Sequence, residues 1–137
     1  MPTIKRIDHV ALVVDDLEAA LAFWRDALGL RVSQTEEEPT EKTTVAFLPL
    51  GESEIELVQP HTADSGTAKF LAKRGPGMHH LCIEVEDLEA LLARLQRQGV
   101  RLINETPVTK PNGVRYAFIH PKSTYGVLIE LYEKPQS

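Results

Sequence analysis

The chain has 137 residues, 42% of them hydrophobic and 26% charged, with a formal net charge of −5. That is enough apolar material for one good core and too much for a tail or linker, while the acidic balance argues against nucleic acid or an anionic membrane as the main partner. No apolar run approaches the roughly 20 residues of a membrane span, Met1 to Lys5 lacks the apolar stretch of a signal peptide, and the lone Cys82 has no partner for an internal disulfide, so the expected location is the cytoplasm.

Ile7 to Val14 is continuous and rich in β-branched residues, as in a strand covered on both faces, and Asp15-Asp16 offers a helix start. Leu17, Ala20, Leu21, Trp24 and Leu28 recur at helical spacing, and Gly29 stops that helix. Leu30 to Ser33 is predicted to begin a second strand, and the polar, proline-containing stretch Glu36 to Lys42 reads as a loop. Thr43 to Leu50 and Glu54 to Gln59 make two more strands around the turn Gly51-Glu52-Ser53. Residues 61–77 connect to a second unit and contain a short helix from Thr67.

The second unit repeats the plan. A strand is predicted over Leu81 to Val85, a helix over Leu88 to Gln98, a short strand over Arg101 to Asn104 and a loop over Pro107 to Gly113. A strand follows over Arg115 to His120, then a turn over Pro121 to Gly126 and a last strand over Val127 to Glu133, with the tail fraying from Lys134. The expected fold class is α+β: two tandem β-α-β-β-β modules, about 5–60 and 78–134, joined by the 61–77 connector into a single domain whose curved sheets form a cleft.

The two modules are an internal repeat. His9-Val-Ala-Leu-Val-Val-Asp-Asp-Leu-Glu-Ala aligns without a gap on His80-Leu-Cys-Ile-Glu-Val-Glu-Asp-Leu-Glu-Ala, a shift of 80 − 9 = 71 residues. Gly29 precedes Leu-Arg-Val and Gly99 precedes Val-Arg-Leu. Near the end of each module comes a glutamate in an apolar run, Glu56 in IELV and Glu130 in IELY, where a charge is costly to bury unless something pairs with it. The repeat therefore gathers His9, Glu56, His80 and Glu130 as one candidate site. A lone strand histidine is ordinarily a satisfied core residue, and the repeat is what changes that reading for His9 and His80. His79 points to the opposite face of its strand and reads as structural, because strand side chains alternate. Glu56 also fits a solvated face with Glu52 and Glu54, Cys82 fits a small apolar filler on the His80 face, and His61 and His120 lie beside prolines in turns.

IDHVALVV at 7–14, KFLAKRGPGMHHLCIEV at 69–85 and HPKSTYGVLIEL at 120–131 resemble the vicinal oxygen chelate superfamily, and within it the methylmalonyl-CoA epimerase family. The resemblance spans essentially the whole chain. It implies that His9, Glu56, His80 and Glu130 hold one divalent metal ion, cobalt first and manganese, nickel, zinc or magnesium as alternatives. Such a set has mixed nitrogen and oxygen donors, no thiolate, and positions left open for a substrate's paired oxygens. It further implies an acyl-CoA substrate, a homodimer and an acid/base role for Glu130. Phosphates seek cations, so Lys122 and Ser123, close in sequence to Glu130, are expected to contact coenzyme A, with Lys69, Lys73, Arg74, Lys110 and Arg115 as further cations. The chain departs from the family pattern twice. Val45 stands where a second glutamate is familiar, and Glu56 where glutamine is. The proton carrier on the open face thus falls to Glu56, to a loop residue such as Glu41, or to a bound water. Glyoxalase I chemistry shares the metal set and is the alternative, followed by an extradiol dioxygenase or a non-enzymatic binding protein.

Overall fold

A computed structural model describes residues 2–135. The chain divides into two compact units, residues 9–79 and residues 1–8 with 80–137. The division falls inside β1 (Thr3–Val13) and inside β5 (Gly77–Glu86), so the sequence modules and the packed units differ by an exchange of the first eight residues.

In the unit of residues 9–79 the strand order is β2 (Gln34–Glu38), β3 (Thr43–Leu50), β4 (Ser53–Pro60), β1. β1 and β4 are parallel, and the β3 pairings are antiparallel. Helix α1 (Leu17–Leu21) continues as a π-helical turn, Ala22–Ala27, where a straight α-helix is predicted. The wider turn is seen in the bond from Leu28 N–H to the Phe23 carbonyl, 2.8 Å, and Trp24 still packs on the core. That core joins Val14, Leu21, Ala46, Leu48, Ile55 and Leu57 to partly buried Val10, Leu12, Leu30 and Val32. Leu30 and Val32 are thus core-packing connectors, and the second strand starts later, at Gln34. Its QTEEE sequence is exposed throughout, because an edge strand with one neighbour needs no apolar face. Helix α2 (Gly66–Arg74) fills the connector.

In the other unit the order is β1, β5, β8 (Ile129–Glu133), β7 (Arg115–Ile119), β6 (Val108–Thr109). β5 and β8 are parallel; β8–β7 and β7–β6 are antiparallel. Helix α3 (Leu88–Arg97) lays Leu88, Leu91 and Leu92 on Val85, Ala117, Ile119 and Leu131. The strand expected at Arg101 to Asn104 is reduced to one bridge, Leu102 to Ile119, and the pairing falls instead at Val108–Thr109, inside the predicted loop. Both units are mixed sheets with few helices, and the fold class is α+β as expected. Lys134, expected to fray, is held by Asp8 at 3.2 Å and Glu84 at 3.5 Å; Gln136 and Ser137 lie outside the described residues.

Helices α1 and α3 are fixed to their sheets by the same device. Asp16 and Asp87 cap the first turns, accepting from Ala19 N–H (3.2 Å) and Ala90 N–H (3.3 Å). The first helical N–H is then met by a side chain of the module's parallel partner strand: Leu17 N–H donates to Gln59 Oε1 at 2.7 Å, and Leu88 N–H to Glu133 Oε2 at 3.1 Å. Gln59 and Glu133 each lie three residues after a candidate site glutamate.

Candidate active site

Strand register explains how a histidine and a glutamate meet within each unit. In the parallel pair β1–β4, Ala11 lies beside Glu56; in β5–β8, Cys82 lies beside Glu130. His9 and His80 precede Ala11 and Cys82 by two residues, so each shares the face of that small residue. Because Ala11 and Cys82 are short, the imidazole and the carboxylate reach past them. His9 Nδ1 lies 3.2 Å from Glu56 Oε2, and His80 Nε2 lies 3.1 Å from Glu130 Oε1. The "filler" reading of Cys82 thereby gains a reason: it is fully buried, and its size keeps room for the pair.

The other face of each sheet carries the core leucines and valines against the helix, which leaves the His–Glu face to aromatic neighbours. Antiparallel pairing sets Phe47 opposite Glu56 and Phe118 opposite Glu130. The Phe118 ring meets His80 edge to face, with centroids 5.6 Å apart. Extending the 71-residue shift to the third strands would have found these two phenylalanines in the sequence. Glu130 is buried and Glu56 half-buried in its pair with His9, so the solvated-face reading of Glu56 fails. His79 does turn away from His80: its ring stands edge to face with Phe70 of α2, 5.1 Å between centroids.

Lys122 is exposed in the 3-10 turn Pro121–Ser123 that leads into β8, and its N–H donates to His120 Nδ1 at 3.0 Å. Ser123 Oγ accepts from Arg101 N–H at 2.8 Å, bracing the turn on the segment after α3. Burial, with the positive charges of Arg101 and Lys122, holds His120 below its ordinary 6.5, so the imidazole is a neutral acceptor at pH 7. His61 bonds Glu37 and Thr44 on an exposed edge, at 3.1 and 2.5 Å, and is no part of either pair. Val45 lies on the Phe47 side of β3, buried and without a titratable group. Glu41 sits exposed in the turn between β2 and β3.

The donor chemistry of each pair suits a divalent ion. Two donors about 2.1 Å from one metal at a right angle lie about 3.0 Å apart, close to both observed nitrogen–oxygen separations.

A mixed α+β sheet of repeated modules, each with a histidine on its first strand and a glutamate on its last, defines a class that comparison identifies. Residues 8–118 match the Glyoxalase/Bleomycin resistance protein/Dioxygenase superfamily, and the chain belongs to it. Several of its relatives there are named as epimerases, and one, 34% identical, as a lactoylglutathione lyase of Haemophilus influenzae. The ethylmalonyl-CoA/methylmalonyl-CoA epimerase of Cereibacter sphaeroides is 42% identical over 130 residues, which cover 93% of this chain and 97% of the relative. Human mitochondrial methylmalonyl-CoA epimerase is 40% identical over 127 residues, 92% of this chain and 72% of the relative. Among solved structures, methylmalonyl-CoA epimerase from Mycobacterium tuberculosis matches with a TM-score of 0.86 and 39% identity, covering 98% of this chain and 91% of that one. Within the superfamily the chain therefore belongs with the methylmalonyl-CoA epimerases. A variant of the Streptomyces coelicolor enzyme, in complex with 2-nitronate-propionyl-CoA, matches with a TM-score of 0.85 at 34% identity, covering 96% of each chain.

Proposed function

We propose that this chain interconverts (R)- and (S)-methylmalonyl-CoA in the cytoplasm, and that His9, Glu56, His80 and Glu130 together hold one divalent metal ion. The observation that carries the reading is the repeated His–Glu pair, 3.2 Å in one unit and 3.1 Å in the other, in a chain about 40% identical to epimerases over most of its length. A divalent ion held by these four residues would supply Lewis-acid polarisation, which would acidify the hydrogen on the carbon between the substrate's carboxylate and thioester.

The residues supply the proton traffic. Glu130 takes the α-proton from one face, and the C–H electrons pass into the thioester carbonyl to give an enolate. Glu56, protonated, returns a proton to the same carbon from the other face, inverting the centre; the reverse reaction exchanges the roles. Burial of Glu130 limits its competition with bulk water, and the Phe118 and Phe47 rings beside the two carboxylates keep their surroundings apolar. Lys122 and Ser123 contact the coenzyme A portion. Among the described residues no helix is long and apolar enough to cross a membrane.

The test is deuterium uptake from solvent into methylmalonyl-CoA, run beside turnover of a methylglyoxal and glutathione mixture. Uptake with loss of optical purity supports the epimerase. Isomerisation of the glutathione adduct without it assigns the site to glyoxalase I chemistry, which the carboxylate at Glu56 favours. Assembly is tested separately: sedimentation at micromolar concentration is expected to give a dimer of the 15.3 kDa chain, and a clean monomer refutes that part.

A further inference from the structure

We propose that the turn between β7 and β8 is a docking platform for the nucleotide half of an acyl-CoA, with the Tyr125 ring stacking on the adenine and Lys122 and Arg101 taking phosphate. The proposal rests on the acyl-CoA reading above and adds the residues that recognise the nucleotide. Tyr125 has a relative exposure of 103%, so its ring covers no core surface. Its backbone lies in the left-handed region, φ 58°, which is uncommon for a bulky residue. Gly126 beside it already supplies a positive φ of 92°, and a glycine or asparagine at position 125 would make the turn at lower cost. An aromatic ring held at a strained position entirely in solvent is explained by a partner with a flat apolar face.

The rest of the turn is built to hold that ring still. Gly126 N–H and Thr124 N–H donate to the Pro121 carbonyl at 2.8 and 3.1 Å, the Thr124 hydroxyl donates to the Val127 carbonyl, and His120 N–H donates to the Arg101 carbonyl at 2.9 Å. Together with the Ser123–Arg101 bond, these fix the turn at both ends and bring Arg101 beside it. The charges of Arg101 and Lys122 both act on His120 at the start of this turn, so the turn that carries Tyr125 also gathers two cations in a chain of net charge −5. Flat aromatic surface beside paired cations is the chemistry that takes a purine base and its phosphates.

The experiment compares methylmalonyl-CoA with the methylmalonyl thioester of pantetheine, which lacks the nucleotide. Tyr125→Ala is expected to raise KM for the CoA ester by about tenfold, the size of one lost stacked base, with kcat unchanged and the pantetheine ester unaffected. Tyr125→Trp is expected to retain the low KM, and Arg101→Ala to weaken only the CoA ester. Calorimetric titration of free coenzyme A into the same variants gives the ranking independently of turnover. Equal KM changes for both esters, or unchanged coenzyme A affinity in Tyr125→Ala, overturns the platform. Tyr125-dependent coenzyme A binding by a wild-type chain that epimerises nothing would overturn the epimerase reading and leave the platform standing.

Discussion

The two repeated modules carry the same histidine–glutamate pair in different settings. After His9, that face of β1 carries Ala11 and Val13, both apolar and buried. Around His80 and Glu130, the 71-residue shift puts Glu84 where the first module has Val13. Glu84 is almost wholly buried and is met by Arg6 at 2.7 Å, Lys134 at 3.5 Å and Lys5 at 3.8 Å, with Asp8 bridging Arg6 and Lys134 from the other side. A charge network thus occupies the place of a valine, and it ties the start of β1 and the residue after β8 to the C-terminal part of β5. The repeat has kept the residues that meet at each pair and let the supports diverge. Glu130 is also the more enclosed carboxylate, its side chain 7% exposed against 17% for Glu56.

The largest expected effects test whether the two glutamates are equivalent in chemistry. Glu130→Gln keeps the shape and removes the basicity, and is expected to lower kcat for epimerisation by about 10²–10⁴-fold. Glu56→Gln should do the same, yet each variant should still let one enantiomer of methylmalonyl-CoA exchange its α-hydrogen with deuterium from solvent, and the two variants should select opposite enantiomers. Near wild-type epimerisation by a metal-replete Glu56→Gln protein would leave Glu56 as a ligand only and move the search to Glu41 and its loop.

Metal content asks the same question of the histidines. His9→Ala and His80→Ala should each lose stoichiometric divalent metal on purification, measured by elemental analysis. Full retention in both would break the single-centre proposal.

The supports are where the modules should differ. Glu84→Gln is expected to lose about 1–2 kcal/mol in urea denaturation at pH 7, a discount on the cost of breaking a buried ion pair because the three cations are 31–43% exposed. Burial pushes the Glu84 carboxyl up, and the Arg6 hydrogen bond with the charges of Lys134 and Arg6 outweighs that, holding it below its ordinary 4.5. A depressed folded value stabilises the protein above pH 4.5, and the contribution disappears as pH falls through that lower value. The gap between wild type and Glu84→Gln should therefore be wide at pH 7 and close below pH 4.5; a gap that is constant with pH would mean that Glu84 acts by packing. The smallest effect is reserved for the neighbour of a proposed ligand, His80. His79→Ala gives up the edge-to-face contact with Phe70 and should cost about 1 kcal/mol of stability while leaving metal content intact, and loss of metal there would overturn the assignment of His79 to the outer face.

Most of the element order was legible in the sequence, because helix caps, glycine stops and strand alternation are local signals. The exceptions have physical causes. QTEEE at 34–38 is a strand without an apolar face, since an edge strand is held by backbone bonds to one neighbour. Leu30, Val32 and Leu102 looked like strand residues because they are apolar, and they are apolar because they pack on a core as connectors. The π-helical turn at 22–27 and the two-residue β6 leave no periodic trace in the sequence. Phe47 and Phe118 are related by the same 71-residue shift, so their correspondence is legible in the sequence, while their place opposite the two glutamates depends on antiparallel register.

The sequence by itself determined the repeat, the face of each strand on which His9 and His80 lie, and the identity of the two glutamates, since each of these is a spacing within one element or a fixed shift between two copies. Only the tertiary structure decided that Ala11 lies beside Glu56 and Cys82 beside Glu130, that Gln59 and Glu133 meet the first N–H of each helix, and that Lys134 reaches Glu84. Parallel strands are joined through a crossover of some forty residues, so their register carries no short-range signal. It is fixed by packing the helix on the sheet, and the 3.2 and 3.1 Å His–Glu pairs exist only once that register is set.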